Sequence, residues 1–386
     1  MKLIEQIEAS RMSVFRSSER AVKFLSAMNR YRLKFSRGLH CEYGAKHKSR
    51  KPKMTKIPVS HHPGRHCAST GLCNLANYHG IGWSESMCFG LGAGLGIWYI
   101  SFPGISPSRM VHVRSLDIEA RFFNRIGQPF AWEQFKTPAE SEQILCARLD
   151  SGVPVILQTD IYHLPYYESN THYPGHVITV WGYDRDKKLF FVTDTERKAV
   201  LQVPFEKMRK ARFSADGLLN IQGNLFAPQR LSAPESMPDI ILQAIRKNSR
   251  VIIEGYDELS GMEDITGGLG AFEKWEEEIR NWKDLKDWRW AARFTYQTTQ
   301  KRGTGGGAFR LMYADFLNGA ADYVPEISSH GLPQQMREVG LAWRELSMAL
   351  KKTSDRSVPD FTEAYDSLQR VKHLESAYHK NVMELF

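Results

Sequence analysis

Cys67 lies in the run HHPGRHCASTGLCNLANY, residues 61–78, where a loop rich in histidine, proline and glycine meets apolar residues at Ala68, Leu72, Leu75 and Ala76. That three-to-four spacing predicts a helix from Cys67 to about Tyr78, laid against a core. A cysteine in the first turn of a helix faces unpaired N–H groups and the positive end of the helix dipole, and both favour the thiolate. A thiolate nucleophile also needs a base, and the base an orienting group. His176 opens the run HVITVWGYD and Asp194 closes LFFVTD, with the charged turn RDKK between them. Two apolar runs joined by four polar residues predict a hairpin. The start of its first strand and the end of its second are neighbours, which brings His176 and Asp194 together. In this arrangement Cys67 attacks, His176 moves the proton and Asp194 orients the imidazole. Taken singly, each residue has a plainer reading: Cys67 as a small buried hydrophobe, His176 as a hydrogen-bonded strand histidine.

Acyl chemistry also requires donors for an oxyanion. The Cys67 N–H is one; His61 and His62 are candidates for another and rank above His66, which adjoins the nucleophile too closely to converge on it. Asp160 and His163, at the end of the strand-like VPVILQTD, are candidates for lining the cleft, as is Tyr166 beside Tyr162 and Tyr167, for which aromatic packing is the competing role. Arg310, after the glycines of GTGGGAFR, is a candidate for binding an anionic substrate group, or else a surface residue at a helix start. The glycines at 90, 92, 94 and 96 form neither a dinucleotide fingerprint nor a phosphate loop. The five cysteines show no zinc-type spacing and no disulfide-framework density, so free thiols and no metal are expected.

These residues must be held by a sizeable core, which 386 residues, 42% of them hydrophobic, can supply. The net charge is +9, but residues 1–60 alone carry +11 and the remainder sums to −2. The charge therefore belongs to an N-terminal arm, with a helix expected near 10–36. The absence of repeated stacking aromatics there argues against nucleic-acid binding, while an acidic protein partner remains compatible. No apolar run is long enough for a membrane span or a signal peptide, so the cytoplasm is expected. Helices are expected at 84–89, 114–125 and 138–150, with a strand at IWYISF between the first two. A strand and helix follow the hairpin, and a strand leads into a proline-containing loop near 218–235. Beyond it the pattern is mainly helical: 236–247, 268–296, 308–324, 331–352 and 359–384. The expected division is a basic extension over 1–58, a catalytic domain over 59–232 and a helical domain over 233–386, in an α+β chain.

HCASTGLCNLANYHG with SESMCFGLGAGLG, DIYHLPYY and HVITVWGYD resembles the N-terminal domain of the butirosin biosynthesis protein H family, a branch of the papain-like cysteine superfamily. GTGGGAFRLMYADFLNGAA, residues 303–321, resembles the helical domain that accompanies it. The resemblance covers about residues 60–350. It implies a papain-like fold with a central antiparallel sheet, and acyl transfer by Cys67, His176 and Asp194 from a carrier-bound thioester to an amine. Phosphopantetheine would then arrive on an acidic acyl carrier protein, with no tightly bound cofactor. A thioesterase, amidase or peptidase would share the same residues, and a catalytically silent binding protein, or a homo-oligomer, is compatible with the same sequence.

Overall fold

The computed structural model describes residues 52–115, 117–216, 221–256 and 264–386. The helix expected near 10–36, Cys41 and nearly all of the basic extension lie outside the described residues. In chain order, β1 (Met54–Lys56) precedes α1 (Cys67–Tyr78), α2 (Glu85–Leu91), β2 (Leu95–Ser101), β3 (Arg109–Arg114) and α3 (Ile118–Arg125). Then come α4 (Pro138–Asp150), β4 (Val155–Thr159), β5 (His176–Asp184), β6 (Leu189–Asp194), β7 (Arg197–Pro204), α5 (Phe205–Arg212) and β8 (Leu225–Phe226). The rest is α6 (Met237–Glu254), β9 (Ile265–Gly267), α7 (Gly268–Ile279), α8 (Trp288–Tyr296), α9 (Arg310–Ala320), α10 (Glu326–Ser329), α11 (Leu332–Asp355) and α12 (Thr362–Leu385). The chain is thus α+β, with antiparallel sheets and a helical C-terminal region.

Two compact units divide the described chain, one formed by residues up to Trp83 with Gly127–Ala233, the other by Ser84–Ile126 with Pro234–Phe386. The segment from Ser84 to Ile126, placed by chain order in the catalytic domain, groups with the C-terminal unit. The reason is pairing: β2 is flanked by β3 on one side and by β9, from the C-terminal half, on the other. The strand at 109–114 replaces part of what the pattern suggested as loop and helix start, and α3 begins only at Ile118.

In the first unit the sheet order is β7-β6-β5-β4-β8, antiparallel throughout, and β1 pairs with the far end of β5. That end admits β1 because Gly182 has no side chain: a Cβ there would sit 2.2 Å from the Thr55 carbonyl oxygen. Helix α1 lies on the sheet at Gly71, whose absent Cβ would come 3.2 Å from Val177 and 3.3 Å from Ile156. A separate apolar cluster joins Leu145 and Leu149 of α4 and Met208 and Ala211 of α5 to Leu157, Val180 and Val192 of the strands. Burial of these side chains is the main driving force that fixes the strand ends in space.

In the second unit the expected helix over 268–296 is interrupted after Ile279 by a 3-10 turn, Arg280–Asp284, and restarts at Trp288. Trp282 is buried in that turn and donates Nε1–H to the Tyr99 hydroxyl at 3.0 Å. Asp287 accepts from the backbone and hydroxyl of Ser108, each at 2.7 Å. These contacts to β2 and the chain after it outweigh helix continuity. No helix among the described residues is long and apolar enough to cross a membrane.

Candidate active site

Cys67 is the first residue of α1, partly exposed, and the helix is capped by His66, whose Nδ1 accepts the Ser69 N–H at 3.4 Å. The residues that follow, Ala68 to Ala76, are all buried, so the helix start is held rigidly against the sheet. His176 and Asp194 are delivered by β5 and β6 as the hairpin pattern predicts. Nε2 of His176 lies 2.8 Å from Oδ1 and 2.9 Å from Oδ2 of Asp194. The same imidazole is hydrogen-bonded to the Cys67 side chain, and with Nε2 held by the carboxylate, Nδ1 is the ring nitrogen that remains for the thiol. The three residues named from the sequence therefore form one chain of contacts, Cys67 to His176 to Asp194.

Electrostatics follow from burial and pairing. Burial of His176 works against the imidazolium, but the Asp194 carboxylate and the Cys67 contact outweigh it and hold the imidazole well above its usual range. Burial likewise works against the Asp194 carboxylate; His176 and the hydroxyls of Tyr166 and Thr195 overcome it and keep the group below its usual value. Tyr166 donates to Oδ2 at 2.8 Å and Thr195 to Oδ1 at 3.2 Å. Tyr167 reaches Nε2 of His176 at 3.2 Å, with the rings edge to face. Arg197 lies 5.0 Å from both tyrosine rings and donates Nη2–H to the Tyr166 carbonyl.

Several sequence candidates occupy other roles. His61 is braced between Asn74 Oδ1 and the Arg197 carbonyl, each at 3.0 Å, so both ring nitrogens are committed and neither is offered to an oxyanion. His62 is exposed on the same loop. Tyr166, a candidate substrate contact, has its hydroxyl on Asp194. Asp160 is 0% exposed and anchors a loop: Oδ1 accepts the N–H groups of Tyr162 and Tyr173 at 3.1 and 2.8 Å, and Oδ2 takes Ser214 at 2.7 Å and His172 at 2.6 Å. A carboxylate so enclosed does not line a cleft. His163, half-buried, lies beside this pair. Arg310 is 0% exposed within the second unit, donating to the carbonyls of Gly96, Val113 and Ala308 and to Glu375. It is an internal strut and not a surface anion contact.

Sequence reasoning missed Thr195, His172 and Asn74. Thr195 takes φ 34°, a conformation strained for a β-branched residue, directly after Asp194. Asn74 ties α1 to the hairpin through Thr179 at 2.9 Å and Thr193 at 3.3 Å. A seven-residue offset from Cys67, two helical turns, was the available signal for Asn74; nothing local marked the others. Among the described residues, Asp160, His163 and His172 are the grouping that brings potential metal-ligating atoms within 4.8 Å of one another.

Fold and site thus define an α+β protein in which a helix-borne cysteine meets a histidine and an aspartate from one β-hairpin. Residues 66–195 match the family described as butirosin biosynthesis protein H, N-terminal, a span that runs from the residue before Cys67 to the residue after Asp194. Residues 206–382 match a domain of unknown function, DUF4872. With these two domains in this order, the chain belongs to the butirosin biosynthesis protein H family, and membership implies a biosynthetic enzyme. No curated protein matches the chain.

Proposed function

We propose that this protein is a cysteine-dependent acyltransferase with a papain-like catalytic arrangement, moving an acyl or aminoacyl group from a carrier-bound thioester to an amine. The observation that carries the proposal is His176, bonded on one side to Asp194 and on the other to Cys67. An imidazolium beside a cysteine at a helix start favours the thiolate. The thiolate attacks the thioester carbonyl, the carrier's C–S bond breaks, and the carrier thiol leaves with the proton from His176. The acyl group is then a thioester of Cys67. An amine attacks it, His176 takes the amine's proton, and the bond to Cys67 sulfur breaks, returning the thiolate. The Cys67 N–H at the start of α1 supplies one oxyanion donor. The carrier, which brings its own phosphopantetheine, is acidic in this proposal and meets the basic N-terminal residues; the setting is cytoplasmic.

Intact-protein mass spectrometry with a panel of carrier-bound and small thioesters tests this. The expected result is an acyl adduct on the wild-type chain, absent in Cys67→Ala, that an added amine discharges faster than water. Discharge by water alone at the same rate would make the enzyme a thioesterase. No adduct and no product with any thioester or amide, from folded protein, would overturn the nucleophilic role of Cys67.

A further inference from the structure

The loop between β4 and β5 holds a second cluster that the acyl-transfer chemistry does not use. Asp160 follows the last residue of β4 and caps a single 3-10 turn, Ile161–His163, which carries His163 back toward it. The chain then runs out through Tyr166 and Tyr167 and returns at Tyr173, whose N–H bonds Asp160 at 2.8 Å and whose carbonyl accepts the Ile161 N–H at 3.4 Å. His172 is thereby placed with Nδ1 2.6 Å from Asp160 Oδ2, its ring stacked on Tyr162 with centroids 4.0 Å apart. We propose that Asp160, His163 and His172 bind one divalent cation of the zinc class, and that this ion clamps both ends of the loop carrying Tyr166 and Tyr167.

The donor set selects the ion. Two imidazoles and one carboxylate suit zinc and its late first-row neighbours, whereas magnesium and calcium require oxygen donors. Ligating atoms of the three residues lie within 4.8 Å of one another. Bonds of about 2.0–2.1 Å to a tetrahedral ion bring such atoms to roughly 3.3 Å. Half-buried His163 closes in on the ion while His172, now 2.6 Å from Asp160 Oδ2, draws back by less than about 1 Å, since Asp160 is fixed by its backbone donors and by Ser214. Those bonds are the outer support that ligating carboxylates usually have. The cation takes the place of the hydrogen bond between His172 Nδ1 and Asp160 Oδ2. Asp216, 45% exposed with Oδ2 4.0 Å from His172 Nδ1, is within reach as a fourth ligand.

The consequence for the active site is positional. Tyr166 and Tyr167, between the two ends of the clamp, bond Asp194 and His176, and Thr159, next to Asp160, pairs in register with His176. An ion here stiffens the supports of the imidazole without touching substrate.

The test is a binding titration of the full chain, stripped by chelating resin, with Zn(II) against a chromophoric chelator and with Co(II) followed by its visible absorption. The expected result is one equivalent bound, with affinity lowered about 100-fold or more in His163→Ala and in His172→Ala and unchanged in Cys67→Ser. His163→Ala is the decisive variant, because its half-exposed ring is dispensable for folding, which circular dichroism checks. Failure of the wild-type chain to bind stoichiometrically overturns the proposal. So does binding that survives His163→Ala but disappears in Cys67→Ser, which would assign the ion to the cysteine and His176. The readout is metal binding alone, so it stands or falls apart from acyl transfer.

Discussion

His176 opens β5, Asp194 closes β6, and the hairpin between them sets Nε2 of one 2.8 Å from Oδ1 of the other. Thr179 and Thr193 are partners across the hairpin, so continuing the register puts Asp194 opposite Ile178, two residues from His176 and on the same side of the ribbon. Neither charge would persist alone at this depth, and each shifts the other toward its ionised form.

Asp194→Asn keeps the shape and removes the charge. Without the carboxylate, burial dominates at His176 and its pKa falls, so the basic limb of the acylation profile moves down by about one pH unit or more. At neutral pH the acylation rate falls on the order of 100-fold. Stopped-flow acylation across pH measures both, and an unmoved basic limb would assign that limb to another group. Stability follows the same signs. The raised His176 contributes fully below about pH 6.5 and its contribution is lost as pH rises through its folded value; the lowered Asp194 contributes above about pH 3.8 and is lost as pH falls through its folded value. The stability gap between wild type and Asp194→Asn is therefore widest between those two pH values.

Tyr166→Phe removes the 2.8 Å donor to Asp194 Oδ2 and leaves the ring beside Arg197. Hydrogen bonds to charged groups contribute about 1.5–3 kcal/mol, and Thr195 and His176 still hold the carboxylate. The expected outcome is a loss of about 1–2 kcal/mol in urea unfolding, with acylation slowed and the Cys67 thiol still reactive toward alkylating reagents. If stability is unchanged while substrate KM rises alone, Tyr166 contacts substrate after all.

Local pattern carried the site's core because each member sits at the end of a regular element: Cys67 where a helical period begins, His176 and Asp194 where alternating runs start and stop. The other candidates were less legible because their partners are set by how the chain returns on itself. Asp160 has two backbone donors and His172, all from a loop whose return path no periodicity encodes. Arg310 follows a glycine run that resembles a surface turn, yet its partners lie 65 to 214 residues away in sequence, apart from Ala308. The same limit explains β2: IWYISF reads correctly as a strand, but its pairing with Ile265–Gly267 depends on a return of the chain that composition does not announce.

Gly182 lets β1 approach β5, so Gly182→Ala sets a methyl 2.2 Å from the Thr55 carbonyl oxygen, where only backbone can yield. Overpacking of this kind costs about 1–3 kcal/mol. The central strands pair independently of β1, so the variant is expected to fold with faster amide exchange at Tyr183, whose register partner is Thr55. Unchanged exchange would show that the sheet absorbs the methyl elsewhere.

Arg310 and Glu375 are each 0% exposed, and Glu375 also accepts the Trp343 Nε1–H at 2.6 Å and His379 Nε2 at 3.1 Å. Burial works against the Glu375 carboxylate, yet the Arg310 guanidinium and the His379 bond hold it down at about 2. Its contribution to stability is therefore present above about pH 4.5 and lost as pH falls toward 2. Arg310→Met leaves that carboxylate buried without its cation and three backbone carbonyls without donors, an expected loss of about 3–5 kcal/mol. Arg310→Met/Glu375→Met removes both charges and is expected to be less destabilised than the summed single variants by about 1–3 kcal/mol, although the three carbonyls, the Trp343 N–H and His379 Nε2 still lose these partners. Urea unfolding of the four proteins at neutral pH measures the coupling. A surface arginine that binds an anionic substrate would behave in the opposite way, raising KM with no change in unfolding midpoint, and that result would return Arg310 to the substrate.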